Sequence, residues 1–314
     1  MKTRITTLLG IEHPIFQAAM SWASSNSALV TAVSNAGGMG VLAAGPLRID
    51  DFRRILGEIK AGTKKPYGVN IPLNSSKAAE MLDIAYEAAI PVMVASQGGP
   101  KDQLVRFRTI GTRWLHVVAS VEHARKAEAA GVDALVVDGV EAGGHPPPSE
   151  VSTLVLVRRV LQVTKLPVVA SGGVADGAGI AALLALGADA VQLGTRFIAT
   201  PEAGVHENYK RAVLEAEVDQ TAFIGRGMAP IRALRNKFAI EYAMAERRGA
   251  SHDELDELFK SRSLKQAAHD GDVAWGKVEA GQSAGLVQEI LPAAEVMRRL
   301  VIELEEARRR LASL

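Results

Sequence analysis

From His13 to about residue 215 the chain alternates short, continuous apolar runs with longer stretches whose apolar positions recur at helical spacing. Runs that are apolar at every position suit strands covered on both faces, and an amphipathic segment after each run argues a parallel sheet built by crossover helices. The expected strands are Pro14–Met20, Gly40–Ala44, Tyr67–Ile71, Pro91–Ser96, Trp114–Ala119, Ala134–Asp138, the run opening at Pro167 and the run within Gly187–Thr195. Between them lie helices over Ser27–Asn35, from Asp50 or Asp51 with Phe52, Ile55, Leu56 and Ile59 on one face, and over Lys77–Ala89, Gln103–Ile110, Val121–Ala130 and Ser152–Val163. A small-residue helix after Gly179 and a helix over Glu207–Ala216 complete eight strand–helix pairs. That number closes a parallel (β/α)8 barrel. The fold class is therefore α/β, a TIM (β/α)8 barrel with a C-terminal helical appendage.

From about Glu217 the pattern changes to charged, helical sequence without further convincing strands. Ser251-His-Asp-Glu254 carries a capping-box spacing. Val296, Met297, Leu300, Val301, Leu304 and Leu311 form one stripe that should pack on the barrel or on a second subunit, so a homodimer is permitted. The expected division is a barrel over 1–216, a substrate-side appendage over 217–290 and a C-terminal helix over 291–314.

Composition changes this picture mainly by exclusion. The 314 residues carry 36 basic and 35 acidic side chains, a formal net charge of +1, which gives no field for nucleic acid or an anionic membrane surface. There is no cysteine, which removes disulfides, thiolate catalysis and cysteine-bound metal clusters. The remaining histidines, His13, His116, His123, His206, His252 and His269, lack zinc-ligand spacing, and no metal site is expected. The start Met1–Gly10 has no signal-like apolar core, and no apolar run approaches a membrane span, so a cytoplasmic protein acting on a small molecule is the expectation.

Candidate chemistry follows from the barrel, whose active sites form at the C-terminal strand ends. Pro167-Val-Val-Ala-Ser-Gly-Gly-Val174 ends an apolar strand in a glycine turn before a helix, and Gly187-Ala-Asp-Ala-Val-Gln-Leu-Gly-Thr195 repeats the device one strand later. Two adjacent turns of bare N–H groups suit a phosphate. The other strand ends place Gln17–Met20, Asn70, Ser96-Gln97, Val118-Ala119, Asp138 and Gly143-Gly-His145 at the same face. His145 is the single imidazole there and suits proton abstraction near neutral pH, against the plainer reading of a loop residue beside three prolines. Gln17, Asn70 and Gln192 suit either a polar ring edge or mutual pairing within the barrel. Arg226, Arg232 and Arg235 suit either a phosphate or a solvated helical face.

Taken together, Arg4-Ile-Thr-Thr-Leu-Leu-Gly-Ile-Glu-His-Pro-Ile-Phe-Gln17, Gly68-Val-Asn70, Glu141-Ala-Gly-Gly-His145, Ala170-Ser-Gly-Gly-Val-Ala-Asp-Gly177, Val191-Gln-Leu-Gly-Thr-Arg-Phe197 and Gly281-Gln-Ser-Ala-Gly285 resemble the nitronate monooxygenase family, formerly 2-nitropropane dioxygenase. Its relatives include FMN-dependent enoyl-acyl-carrier-protein reductase II and an NADH:quinone reductase. The resemblance implies non-covalent FMN, with its phosphate on the backbone of Ser171, Gly172, Gly173 and Val174 and of Gly194 and Thr195. It implies Ala18, Ala19, Met20 and Asn70 beside the flavin, with Gln97, Asp138, Gly143, Gly144 and Gln192 as further cofactor contacts, and His145 as the catalytic base. The expected activity is oxidation of nitronates or nitroalkanes with dioxygen. The alternatives are an NAD(P)H-dependent reductase of enoyl thioesters or quinones and a non-catalytic flavin-binding barrel. Two departures fall on the substrate side: Ala18-Ala19-Met20 stands where the family commonly has Gly-Gly-Met or Ala-Pro-Met, and Pro146-Pro-Pro148 stiffens a loop that contains glycine in many relatives.

Overall fold

The computed structural model describes residues 1–313, with Lys101 and Asp102 described by backbone alone. Leu314, the last residue of the expected C-terminal helix, lies outside the described residues. Eight strands close into one parallel barrel in sequence order: β1 (Ile15–Gln17), β2 (Met39–Ala43), β3 (Gly68–Pro72), β4 (Val92–Ser96), β5 (Arg113–Val118), β6 (Ala134–Asp138), β7 (Val168–Ser171) and β8 (Ala190–Leu193). β1 pairs with β8 through Phe16↔Gln192, so no strand is left at an edge. Each expected strand is present. β1 is shorter than expected, because the chain turns away after Gln17 and leaves Ala18–Met20 as a loop on the mouth.

The continuous apolar runs reflect two cores on either side of one wall. Inside the barrel Phe16, Met39, Val41, Val94, Leu115, Val136 and Val169 interdigitate, and a helix over Arg4–Leu9, which the hydrophobic pattern does not announce, adds Ile5 and Leu9 to this inner cluster. Outside, Leu42, Val69, Met93, Leu135 and Val191 face the helices. Strand alternation of period two thus operates with both faces apolar. The Arg4–Leu9 helix is fixed by Arg4, whose guanidinium donates to both oxygens of Asp189 at 2.8 and 2.6 Å, while Asp189 also accepts the Val168 N–H at 2.9 Å.

The remainder is not wholly helical. Thr221–Ile224 (β9) and Ile231–Leu234 (β10) form an antiparallel hairpin. Its signal is weak because each strand has only four residues and Gly225-Arg-Gly-Met-Ala-Pro230 between them reads as loop. The hairpin packs with the helix Lys237–Arg247 in a separate cluster of Ile224, Ile231, Phe238 and Tyr242. Ser251 caps the helix His252–Lys260 by accepting the Glu254 N–H, but the reciprocal half of the expected capping box is absent.

The final helix, Ala293–Ala312, lays Val296, Met297, Leu300 and Leu304 against the barrel's own helices Ser27–Asn35 and Gly177–Leu186, while Leu311 stays 51% exposed. The crossing is closest at Gly177, where a Cβ would stand 2.2 Å from the Leu304 nitrogen. No described helix is long and apolar enough to cross a membrane. Gly177→Ala places a methyl against backbone that cannot rotate away, so chemical denaturation should show a loss of roughly 1–3 kcal/mol.

Candidate active site at the barrel mouth

One cavity of about 740 Å³ opens at the C-terminal strand ends. Every site residue expected from the sequence lines it: Ala18, Ala19, Met20, Asn70, Gln97, Asp138, Gly143, Gly144, His145, Ser171, Gly172, Gly173, Val174, Gln192, Gly194 and Thr195. They come from six strand ends that are far apart in sequence.

At one end of the cavity the chain leaves β7 through Gly172 and Gly173 at φ +107° and +75°, left-handed backbone where glycine is required. A Cβ on Gly172 would lie 2.6 Å from the Thr153 hydroxyl, and one on Gly173 would lie 3.2 Å from the Glu141 Cβ. The N–H groups of Gly172, Gly173 and Val174 meet no protein acceptor among the described residues, nor do those of Gly194 and Thr195. Successive unpaired N–H groups in a left-handed turn form an anion-binding nest. The long helix Gly177–Leu186 contributes less than its position suggests. Asp176 accepts the Gly179 N–H at 2.7 Å and Glu303 accepts the Gly177 N–H at 2.8 Å, so two carboxylates occupy its N-terminus. The free donors are those of the turns.

The polar side chains divide by partner. Gln17, which the sequence offers as a ring-edge contact, is fully buried and spans the main chain of Val41, donating to its oxygen and accepting from its nitrogen at 3.1 Å each. It holds β1 to β2 and does not line the cavity. Asn70 donates to the Val94 oxygen at 2.7 Å and to the Ser96 hydroxyl at 3.2 Å, and Gln192 donates to the Ser171 hydroxyl at 3.1 Å. Each is anchored on a neighbouring strand with cavity on its other side. Gln97 sits at φ +54°, an unfavourable conformation for a residue with a Cβ, costing about 1–2 kcal/mol. Two of the three arginines are spent structurally: Arg226 pairs with Glu150 at 2.9 Å, and Arg232 donates to the Val140 oxygen at 2.7 Å and the Thr221 hydroxyl at 2.9 Å, while Arg235 is exposed and away from the cavity lining.

The loop after β6 that carries His145 is held by elements the sequence does not connect to it. Gly144 and Arg232 exchange main-chain hydrogen bonds of 3.1 and 2.7 Å, so the loop extends the hairpin as a third, single-residue rung. On its other side Gly143 meets Gly281 backbone to backbone. A Cβ on Gly143 would stand 2.7 Å from the Ala280 carbonyl carbon, and one on Gly281 would stand 2.6 Å from the Glu141 oxygen. The Gln282 N–H donates to that oxygen at 3.0 Å, and the Gly281 N–H donates to the Thr195 hydroxyl at 2.9 Å.

His145 lines the cavity and stays open to solvent at the mouth, its ring only partly enclosed. Burial, with the Lys277 charge adding to it, holds its imidazole below the ordinary 6.5, so the neutral form prevails at neutral pH. Burial pushes Asp138 up to about 6, the charge of Glu141 adding to it and a Ser171 hydrogen bond opposing it. His145 is not the single imidazole of the mouth that the strand ends suggest, since His116 and His123 line the same cavity, and sequence reasoning did not reach Tyr209, Glu279, Gly281 and Ser283, which also line it. Only Gly281 and Ser283 carry a signal, as part of a glycine motif; Tyr209 and Glu279 stand in ordinary amphipathic or irregular sequence. Burial drives Glu279 up to about 7, against the pull of Lys277. Among the described residues no group of three or more histidine, aspartate or glutamate side chains could hold a metal.

The chain matches the family model "Nitronate monooxygenase" over residues 2–303. It is similar to FabK from Thermotoga maritima, with 39% identity and a TM-score of 0.93 over 100% of this chain and 99% of that one. It is 36% identical over 272 residues to (3aS,4S,5R,7aS)-5-hydroxy-7a-methyl-1-oxo-octahydro-1H-indene-4-carboxyl-CoA dehydrogenase of Mycobacterium tuberculosis, covering 85% of this chain and 75% of that one. It is 33% identical to nitronate monooxygenase of Paraburkholderia phytofirmans, covering 98% of this chain and 96% of that one.

Gly281→Ala must separate the turn from the Glu141 oxygen, the Thr195 hydroxyl or both. Thermal unfolding should show a loss of roughly 1–3 kcal/mol, and limited proteolysis should find the 139–150 loop cut faster than in the parent.

Proposed function

The chain belongs to the nitronate monooxygenase family and is an oxidoreductase of that type, and on that premise we propose that FMN binds in the mouth cavity and that His145 is the base acting on a nitroalkane or nitronate. The observation that carries the cofactor assignment is the paired turns, whose unbonded N–H groups at Gly172–Val174 and Gly194-Thr195 suit a phosphate dianion. A cavity of about 740 Å³ leaves room for a ring system and a small substrate beside it. The chemistry that FMN supplies when bound is acceptance of electrons from the substrate and their delivery to dioxygen.

The chain's own residues do the rest. Ala18, Ala19 and Met20 form a low, apolar wall beside β1, and Asn70 and Gln192 present fixed polar atoms from β3 and β8. His145 holds an unprotonated nitrogen at neutral pH because burial and Lys277 disfavour the imidazolium. It takes the proton from the carbon beside the nitro group.

A second reading is favoured by one relative, whose name makes it a dehydrogenase of a carboxyl-CoA compound. On this reading the same flavin site accepts hydride from NADH or NADPH and serves an enoyl thioester or a quinone. Anaerobic mixing with each nicotinamide separates the two: rapid bleaching of the flavin supports the reductase, and persistent yellow colour supports the oxygenase.

Purified enzyme should consume dioxygen with propyl nitronate, and its absence overturns the leading reading. With nitroethane, kcat/KM should rise with pH as His145 loses its proton and level off at a midpoint below the ordinary 6.5. His145→Ala should lower it by about 10²-fold or more and abolish that limb while flavin is retained.

A further inference from the structure

The mouth holds one carboxyl group that neither the fold nor the proposed reaction uses. Glu279 lies in the segment Lys277–Gly281 that closes over the His145 loop, and its neighbours Val278 and Ala280 are buried in the core while Glu279 lines the cavity. The segment is pinned on both sides: the Leu234 N–H donates to the Val278 oxygen at 2.8 Å, and the Tyr209 hydroxyl donates to the Glu279 main-chain oxygen at 2.8 Å. The side chain reaches the residue beside the base, since a Cβ on Gly144 would stand 3.3 Å from its Oε2. No protein hydrogen bond relieves the burial of its carboxyl, which only the Lys277 charge opposes. A carboxyl left in this state costs stability and returns nothing within the protein.

We propose that Glu279 selects the substrate's head group: as a carboxylic acid it donates a hydrogen bond to the substrate oxygen that takes up negative charge when His145 removes the proton from the adjacent carbon. This rests on the His145 reading above. The step is balanced without any redox change. The C–H bond breaks, its electron pair moves into the C–N bond, one N–O bond pair shifts onto oxygen, and the proton passes to the imidazole. The acid shares its own proton with that oxygen through the hydrogen bond and keeps it. The same geometry binds a nitronate, already anionic, and repels it once Glu279 has ionised. Glu279 therefore makes affinity for planar oxyanions depend on pH.

Other charged groups line the same cavity, among them His116 on β5, which burial holds below 6.5, with His123 and Lys126 from the helix after it. Lys277 lies on the segment of Glu279 itself and loses its charge around 8, which weakens anion binding only at the alkaline end. His145 and Glu141 come from the loop after β6, with Asp138 at its root; protonated His145 strengthens anion binding only below 6.5. Tyr209, from the helix Glu207–Glu215, stays protonated because burial raises it well above 10, and Arg232, on β10, stays charged through the range.

The test uses the flavin-loaded enzyme and nitrate, a planar oxyanion that is not turned over, with Kd read from the change in flavin absorbance across mildly acidic to mildly alkaline pH. The expected result is a wild-type Kd that rises by up to about tenfold per pH unit above a midpoint near 7, and a Glu279→Gln profile flat across that interval. Glu279→Met, which lacks both charge and donor, should be equally flat and weaker than Glu279→Gln at every pH. Lys277→Met should weaken binding below about 8, where the lysine is charged, and move the Glu279 midpoint upward while keeping the step. A wild-type profile retained in Glu279→Gln, or in Glu279→Met should Glu279→Gln fail to fold, overturns the proposal. Nitronate oxidation combined with that retained profile removes Glu279 alone. The expected nitrate profile in an enzyme that consumes no dioxygen with nitronate removes the oxygenase reading and supports the carboxyl's role.

Discussion

The mouth of this barrel is organised by a contact that admits no side chain. Gly143 and Gly281 approach so closely that a methyl on either would stand under 3 Å from the other segment's backbone. Because the approach is close, the Gln282 N–H can reach the Glu141 oxygen and the Gly281 N–H can reach the Thr195 hydroxyl. Three parts of the chain are thereby tied at one point: the loop after β6, the start of the short helix Thr195–Ile198 after β8, and the turn leading to the final helix. The nest and the histidine loop therefore share one junction, built from main-chain atoms and the Thr195 hydroxyl. Main-chain hydrogen bonds have fewer ways to rearrange than side-chain ones, so the distance from the nest to the His145 loop is set chiefly by backbone geometry.

The electrostatics follow from the same enclosure. The mouth gathers Asp138 at about 6, Glu279 at about 7 and Lys277 at about 8, with His145 below its ordinary value, and in each case burial is the largest cause. Groups of opposite ordinary character thus converge on neutrality, because desolvation disfavours whichever form is charged. A mouth tuned in this way exchanges protons readily at neutral pH, which fits proton abstraction from carbon better than it fits binding of a permanent ion pair. Arg226 and Arg232, by contrast, are held in ion pairs or on backbone oxygens and brace the loop.

Much of this was legible in the sequence, for a physical reason that also marks where legibility stopped. Parallel strands buried on both faces leave continuous apolar runs, and glycine turns at Gly172-Gly173 and Gly194 follow two of them, so the barrel and its nest are written locally. The Arg4–Leu9 helix was missed because six residues make under two turns, too few for a periodic signal, although its Thr3–Thr6 capping pair is a local cue. The β9–β10 hairpin was missed because four-residue strands separated by a glycine-rich turn resemble loop. Gln17 stood open between a ring-edge contact and pairing within the barrel because strand-end position is readable and side-chain direction is not; its amide completes the β1–β2 pairing. Glu279 and Tyr209 had no local signal at all, since what distinguishes them is the enclosure supplied by segments more than sixty residues away.

That difference between the two ends of the cavity bears on how such a barrel takes different substrates. The nest is made by consecutive residues at strand ends, and its donors are backbone atoms, so few side-chain changes can alter it without disturbing the turn. The opposite end is assembled from the β6 loop, the hairpin, the helix Glu207–Glu215 and the Lys277–Gly281 segment, fastened to one another by a few main-chain bonds and by the Tyr209 hydroxyl. Side chains such as Glu279 project from this frame without holding it, because its bonds use the main-chain oxygen of Glu279 and leave the carboxyl free. A substitution there changes the polarity and proton inventory of the cavity while the frame persists. The nest end is thus constrained by conformation, and the opposite end chiefly by the chemistry of the side chains that the frame carries.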